Sequence, residues 1–349
     1  MDILQLIESG NYIDEFKKHK VVFRKYPKLK LMIIKRKYGA SYDDSFTWLN
    51  SCRGLVIDYV DHKIVFMPPA KAREVKQLDD LKMLATNICT ELIDGTMINL
   101  FYHNNQWLMS TRSNIGCNNK WSSDINFKNM FDECSPNFDI ESLDKENTYS
   151  FVMRHTKNRI LTPVTENQLI LVEMRNHLKI INELPESDTY TPNITLDVYK
   201  LPSSVLNMAY IYKGFTLMVN DTRYKWISDD CKFIEQIKPN TNNHFLNYLL
   251  LRKSANLTNY LKYFPENRHM YNTYREKIHG LTKQIQHYYR NVFIYKNIEL
   301  SDVPFTLKPF VYELHGIYLK NQRGISWEDV KLFVYKLEPK RICFAINNM

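Results

Sequence analysis

The side chains of this sequence able to do chemistry are few, and only some sit at useful spacings. Glu91-Leu92-Ile93-Asp94-Gly95-Thr96 carries the favoured turn dipeptide Asp-Gly, and the alternating run Met97–Tyr102 follows. The stretch reads as strand, tight turn, strand. From Phe23 to Tyr38, lysines and arginines interleave with aromatic and aliphatic residues. That pattern suits a phosphate-binding edge and equally a solvated strand whose lysines guard an open edge. Asp43-Asp44 and Asp229-Asp230 are paired acids, which read as turn residues more readily than as an acid/base couple. His315, in Glu-Leu-His, reads as a packed helix residue. The tyrosines from Tyr248 to Tyr289 lie among Lys and Arg at helical spacing, which fits packing as well as base stacking.

The six cysteines stand singly, without C-x-x-C pairs or nearby histidines, so they read as reduced, mostly buried thiols rather than a zinc site or disulfide framework. Net charge is +9 over 349 residues, with 47 Lys and Arg against 38 Asp and Glu. That balance suits an anionic partner, most commonly nucleic acid, and also serves plain solubility. No apolar run approaches the roughly 18–20 residues of a membrane span, and no secretory pattern opens the chain. A cytoplasmic protein without a membrane partner is expected. The wealth of Asn, Lys, Ile and Tyr with only 9 Gly is the bias of an AT-rich genome, such as that of a large DNA virus.

The elements that must position these groups follow from periodicity. A helix is predicted within 1–20, a strand around Lys28–Ile33, and a hairpin from Ser51–Asp58 to Lys63–Pro68. A helix is predicted within Ala70–Leu84, a strand at Trp107–Arg112, and a helical turn near Phe127–Phe131. Tyr149–Arg154 with Leu169–Arg175, and Tyr210–Asn220 with Tyr224–Ser228, read as strand pairs. Asn182–Ser204 reads as a surface connection. Beyond Asn243 strand signals fade, and helical periods appear in Phe245–Lys253, Tyr271–Tyr289 and Ser326–Lys336. Two domains are expected, 1–242 and 243–349, the second all-helical.

In order and spacing these pieces resemble the phage-type ATP-dependent RNA ligase family of covalent nucleotidyltransferases. Cys52-Arg53-Gly54 resembles the family's Cys-Arg-Gly, and Met67–Glu74 lies where the family has Lys-Phe-Phe-Asn. Leu92-Ile93-Asp94-Gly95-Thr96 lies on Lys-x-Asp-Gly-Ser, and Ser110-Thr111-Arg112-Ser113 on Thr-Arg/Lys-Gly-Ser. Phe151–Arg154 and Asn158-Arg159-Ile160 resemble Phe-Glu-Leu and Asn-Arg-Ile-Val. Tyr212–Phe215 lies on Glu-Gly-x-Val, Lys225–Ser228 on Lys-x-Lys-Ser, and Pro309–His315 with Trp327–Asn347 on the terminal helices. The resemblance implies an α+β fold. An ATP-grasp-like nucleotidyltransferase domain of antiparallel sheets with flanking helices would precede an all-α C-terminal domain.

The departures fall where that family does its chemistry. Its lysine amine attacks the α-phosphate of ATP, and here Leu92 supplies no lone pair. Glu91 is no substitute, since a carboxylate attacking phosphorus would give an unstable mixed anhydride. Val152 replaces the sugar-binding Glu, Lys213 the metal-holding Glu, and Ile227 one of two phosphate-binding lysines. The resemblance therefore implies no catalytic residue and no metal. Arg53, Asp94, Gly95, Arg112, Arg159, Lys213 and Lys225 are left as nucleotide- or phosphate-binding candidates. Lys213 would stand where Mg²⁺ stood. The expected protein is an inactive RNA ligase-like subunit that binds RNA or a nucleotide, within a viral RNA-processing or transcription assembly. It would need no cofactor and would hold ATP, if at all, non-covalently. Two alternatives stay open: an active ligase with a relocated lysine at Lys213, and a purely structural subunit bound to protein partners.

Overall fold

The computed structural model describes residues 2–37, 39, 45–84, 88–121, 123–181, 184–193, 195–197, 210–220 and 222–349. Asp43-Asp44 and parts of the Asn182–Ser204 connection lie outside them. The described chain divides into two compact units, Met1–Lys232 and Phe233–Met349.

The first unit opens with α1 (Ile3–Glu8), capped by Asp2, and α2 (Tyr12–Lys18). The single helix predicted within 1–20 is thus interrupted by the turn-forming Ser9-Gly10-Asn11. Next come β1 (Val21–Tyr26), β2 (Leu31–Arg36), β3 (Arg53–Asp58) and β4 (Lys63–Phe66), an antiparallel sheet in sequence order. The strand predicted at Lys28 begins only at Leu31. Pro27 fixes the backbone of a short 3-10 turn over Pro27–Leu29, and a left-handed Lys30 closes it. The basic stretch is therefore a hairpin with Tyr26 opposite Leu31. Both helices bury Ile3, Leu6, Ile7 and Phe16 against one face of this sheet.

The chain continues through β5 (Arg73–Glu74), α3 (Leu78–Leu84), β6 (Ile88–Glu91), β7 (Thr96–His103) and β8 (Gln106–Ser110). The helix predicted within Ala70–Leu84 is confined to its second half. After α4 (Phe127–Cys134) come β9 (Asn147–Arg154), β10 (Gln168–Asn176), β11 (Lys179–Ile181), β12 (Thr191–Pro192), β13 (Thr195–Asp197), β14 (Gly214–Val219) and β15 (Thr222–Ile227). Among the described residues these strands build two more sheets. One runs β11-β10-β9-β7-β8 with β12 beside β10, and the other β13-β6-β14-β15-β5. Pairing is antiparallel except at β10–β12 and β15–β5.

One prediction is corrected here. β6 and β7 are not a hairpin across Asp94-Gly95. β6 pairs with β13 and β14, whereas β7 pairs with β8 and β9. The Asp-Gly segment carries the chain from one sheet to the other. The first sheet packs on the second through Ile33, Val56, Phe66, Phe101 and Ile115, with the Phe66 and Phe101 rings stacked at 5.5 Å. The far face of the second sheet is covered by α4 through Phe127, Met130 and Phe131.

The division between units falls within α5 (Asp229–Ile237), whose first turn holds Asp229 and Asp230. The acid pair therefore begins a helix, where the dipole favours negative charge. The second unit is helical: α6 (His244–Lys253), α7 (Leu257–Tyr263), α8 (Arg268–Tyr289), α9 (Lys308–Asn321), α10 (Trp327–Lys336) and α11 (Pro339–Asn347). Tyr248, Tyr260, Tyr271 and Tyr289 are buried, and Tyr248, Tyr260 and Tyr274 all ring-pack with Tyr271. These rings are core, already occupied by one another. His315 likewise stacks on Phe293, ring centres 3.7 Å apart. No described helix is long and apolar enough to cross a membrane.

Candidate functional site

The crossover between the second and third sheets gathers the sequence's most distinctive stretch. Asp94, only 4% exposed, has both carboxylate oxygens occupied. Oδ2 accepts the backbone N–H of Leu161 at 2.7 Å and of Thr162 at 3.0 Å, while Oδ1 faces Lys213 Nζ at 3.1 Å. Lys213 immediately precedes β14, and Gly214 O accepts the N–H of Leu92 at 2.9 Å. Arg159 closes the far side of the loop: its Nε and a terminal nitrogen donate to Leu161 O, and its Nε also to Thr162 O. The 161–162 segment is thus held from both ends, its N–H groups on a carboxylate and its carbonyls on a guanidinium. The donors and the ammonium thus take the place of the water this buried carboxylate has lost.

Gly95 and Gly54 allow the close approaches on which this arrangement depends. A Cβ on Gly95 would lie 2.5 Å from Met153 O and 2.7 Å from a Val152 methyl, so only glycine lets the crossover lie against β9. Gly54, at φ +110°, admits the backbone of Arg112, whose Cα would be 3.0 Å from an added Cβ. That contact sets Arg53-Gly54 beside Ser110-Thr111-Arg112, while the register places Lys35 opposite Arg53. Val152 is buried, so an apolar side chain occupies its position on β9. Leu92 is half-buried directly after β6.

The predicted cations have different partners. Lys213 and Arg159 belong to the Asp94 network. Arg53, Arg112 and Lys35 gather where the first sheet meets the 111–119 loop. Lys225, on β15, pairs with Glu74 at 3.0 Å. Among the described residues, no cluster of three His, Cys, Asp or Glu is placed to hold a metal. Burial pushes the Cys52 and Cys134 thiols up to about 12, far from the thiolate a nucleophile needs.

With this geometry in hand, comparison with known proteins gives distant viral relatives. No protein-family model matches the chain. It is 22% identical over 328 residues to a protein of Invertebrate iridescent virus 3 named "Immediate-early protein ICP-46 homolog", covering 84% of this chain and 72% of that protein. It is 24% identical over 192 residues to an Autographa californica nuclear polyhedrosis virus protein named "Putative bifunctional polynucleotide kinase/RNA ligase", covering 48% of this chain and 27% of that one. A solved structure titled "Putative ATP-dependent DNA ligase from Aquifex aeolicus" aligns with a TM-score of 0.43 and 16% identity over 78% of each chain.

Two buried polar groups escaped the sequence reading. Glu173, on β10 at a β-bulge, is buried with Arg175 Nε on Oε1 at 2.7 Å and Arg223 of β15 on Oε2. Like Asp94–Lys213, this pair ties the second sheet to the third. A cavity of about 700 Å³ opens beside it, lined in part by Arg175, Lys179, Met218 and Arg223. The available signal was one glutamate inside the apolar run Leu169–Met174. The second group is His155, fully buried after β9. Its Nδ1 accepts the N–H of Lys157 at 3.1 Å, so Nε2 carries the hydrogen and donates to Glu133 at 2.9 Å. It anchors the start of the loop that bears Asn158 and Arg159. A lone histidine gave no sequence clue to that.

Proposed function

We propose that this protein is a ligase-like nucleic-acid-binding protein whose Asp-Gly segment serves structure and binding rather than covalent nucleotidyl transfer. The carrying observation is the Lys213–Asp94 ion pair beside Leu92. An ammonium held on a carboxylate has no lone pair for phosphorus, and leucine has none to give. The motif order along the chain, the similarity to a viral protein whose name includes RNA ligase, and the +9 net charge support the nucleic-acid partner.

RNA is the expected ligand, and the test is binding of a short single-stranded RNA across a salt series. Phosphate contacts release counterions, so log affinity should fall linearly with log salt, by about 0.7 per phosphate contacted. Affinity independent of salt, or no binding, would leave a structural or protein-binding subunit, a role that the buried Val152 would equally suit.

A second reading has one observation in its favour. Lys213 Nζ lies 3.1 Å from the carboxylate of the Asp-Gly motif itself, which is where a relocated nucleophile would have to be. In that case Lys213→Ala removes a nucleotide adduct that the wild-type chain forms.

A further inference from the structure

The cavity of about 700 Å³ beside Glu173 is lined by β10, β11 and the β14–β15 hairpin, and its charge is uneven. Three cations, Arg175, Lys179 and Arg223, face the single carboxylate of Glu173. Both oxygens of that carboxylate are taken, Oε1 by Arg175 Nε at 2.7 Å and Oε2 by Arg223 Nη2. The remaining positive charge is balanced by no other described residue lining the cavity. A concave site with such an excess favours an anion.

The donors left over are accessible and held in place. Arg175 Nη1 donates to Leu178 O at 2.9 Å, so the guanidinium that braces Glu173 also braces the turn leading to Lys179. Arg175 Nη2, Arg223 Nη1 and the exposed Lys179 ammonium have no partner among the described residues. Arg223 Nε is buried and unpaired, whereas those two terminal nitrogens reach solvent. Guanidiniums fixed in advance suit phosphate oxygens. A phosphate monoester carries close to two negative charges at pH 7 on three terminal oxygens. That matches the three free donors and the excess of two positive charges in the lining. A diester lacks one of those oxygens and about half of the charge. Met67, Ala70 and Met218 supply an apolar wall for the organic part of the ester.

We propose that this cavity is a binding site for a phosphate monoester, held by Arg175, Arg223 and Lys179. Its described lining includes none of the nucleotide-binding candidates from Arg53 to Lys225 named above, so the site is separate from the Asp94 crossover. The inference does not depend on the RNA-binding reading. A free mononucleotide and the phosphorylated end of an RNA strand present the same group, and the test distinguishes them.

Calorimetric titration of the full chain compares AMP with its cyclic 3′,5′ diester, which keeps base and ribose but loses a charge and a terminal oxygen. AMP should bind about tenfold tighter, the worth of one charge-assisted hydrogen bond. Lys179→Ala should weaken AMP binding about tenfold. Arg175→Lys, which keeps the charge but loses the fork, should weaken it as well. Should Arg175→Lys fail to fold, Lys179→Ala still decides, because that exposed side chain has no partner among the described residues. The second arm titrates a 5′-phosphorylated RNA oligonucleotide against its 5′-hydroxyl form. A preference for the phosphorylated strand that Lys179→Ala abolishes supports the site and makes a strand end its ligand. AMP binding weakened in Lys179→Ala without such a preference supports it with a free ligand. Equal affinity for AMP and the cyclic diester, both arms unchanged in Lys179→Ala, or no binding in either arm would overturn the proposal.

Discussion

Lys213 Nζ and Asp94 Oδ1 stand 3.1 Å apart, across 119 residues of sequence, with the aspartate side chain 1% exposed and the lysine 19%. This pair joins the segment after β6 to the start of β14 and fixes the loop at Leu161–Thr162 through the second carboxylate oxygen. Asp94→Ala would strand the Lys213 ammonium and two backbone N–H groups together. It should cost about 3–5 kcal/mol in urea unfolding, the range for breaking a buried charge pair. Lys213→Ala leaves the two N–H donors on Asp94 and should cost less, about 1–3 kcal/mol.

Gly95→Ala tests the close approach of the crossover to β9. Its Cβ would meet the Met153 carbonyl at 2.5 Å, so the backbone must shift and stability should fall by more than about 1 kcal/mol. Gly280→Ala is the matching control. It lies within α8 with open space around an added Cβ, and should stabilise by about 0.5–1 kcal/mol. Thermal unfolding of both variants reads the opposite signs.

Glu91, at the end of β6, carries a carboxyl that burial raises above its ordinary range, opposed in part by Arg154. The folded protein then keeps that proton to a higher pH than the unfolded chain. This contribution to stability is present at low pH and is lost as pH rises through the folded value. Glu91→Gln removes it. The variant should gain on the wild type between the ordinary carboxylate range and neutrality, with the gap closing on acidification. Urea midpoints across that pH series check it.

Local pattern and long-range pairing account for what the sequence could and could not show. The β3–β4, β9–β10 and β14–β15 hairpins and the helices α6, α8 and α10 have their periodicity written within each element, and they lie close to the predicted positions. The Asp94-Gly95 crossover was misread as a hairpin turn because the turn dipeptide is local while the partners of β6 are not: Glu91 lies opposite Phe215. Arg159 illustrates the same limit in the site. The resemblance made it a phosphate-binding candidate, and its guanidinium also donates to carbonyls that no spacing rule connects to Asp94. Lys213 was singled out by a substitution in a motif, yet its contact with Asp94 required the fold.

The most direct test of the central claim is covalent labelling. The full chain is incubated separately with α-radiolabelled ATP and GTP, with Mg²⁺ or Mn²⁺, beside a working ligase, and resolved on a denaturing gel. The account predicts label on the control and none on this protein. An acid-labile, alkali-stable adduct on the wild type that disappears in Lys213→Ala would contradict it, showing that a lysine held on Asp94 is released to attack.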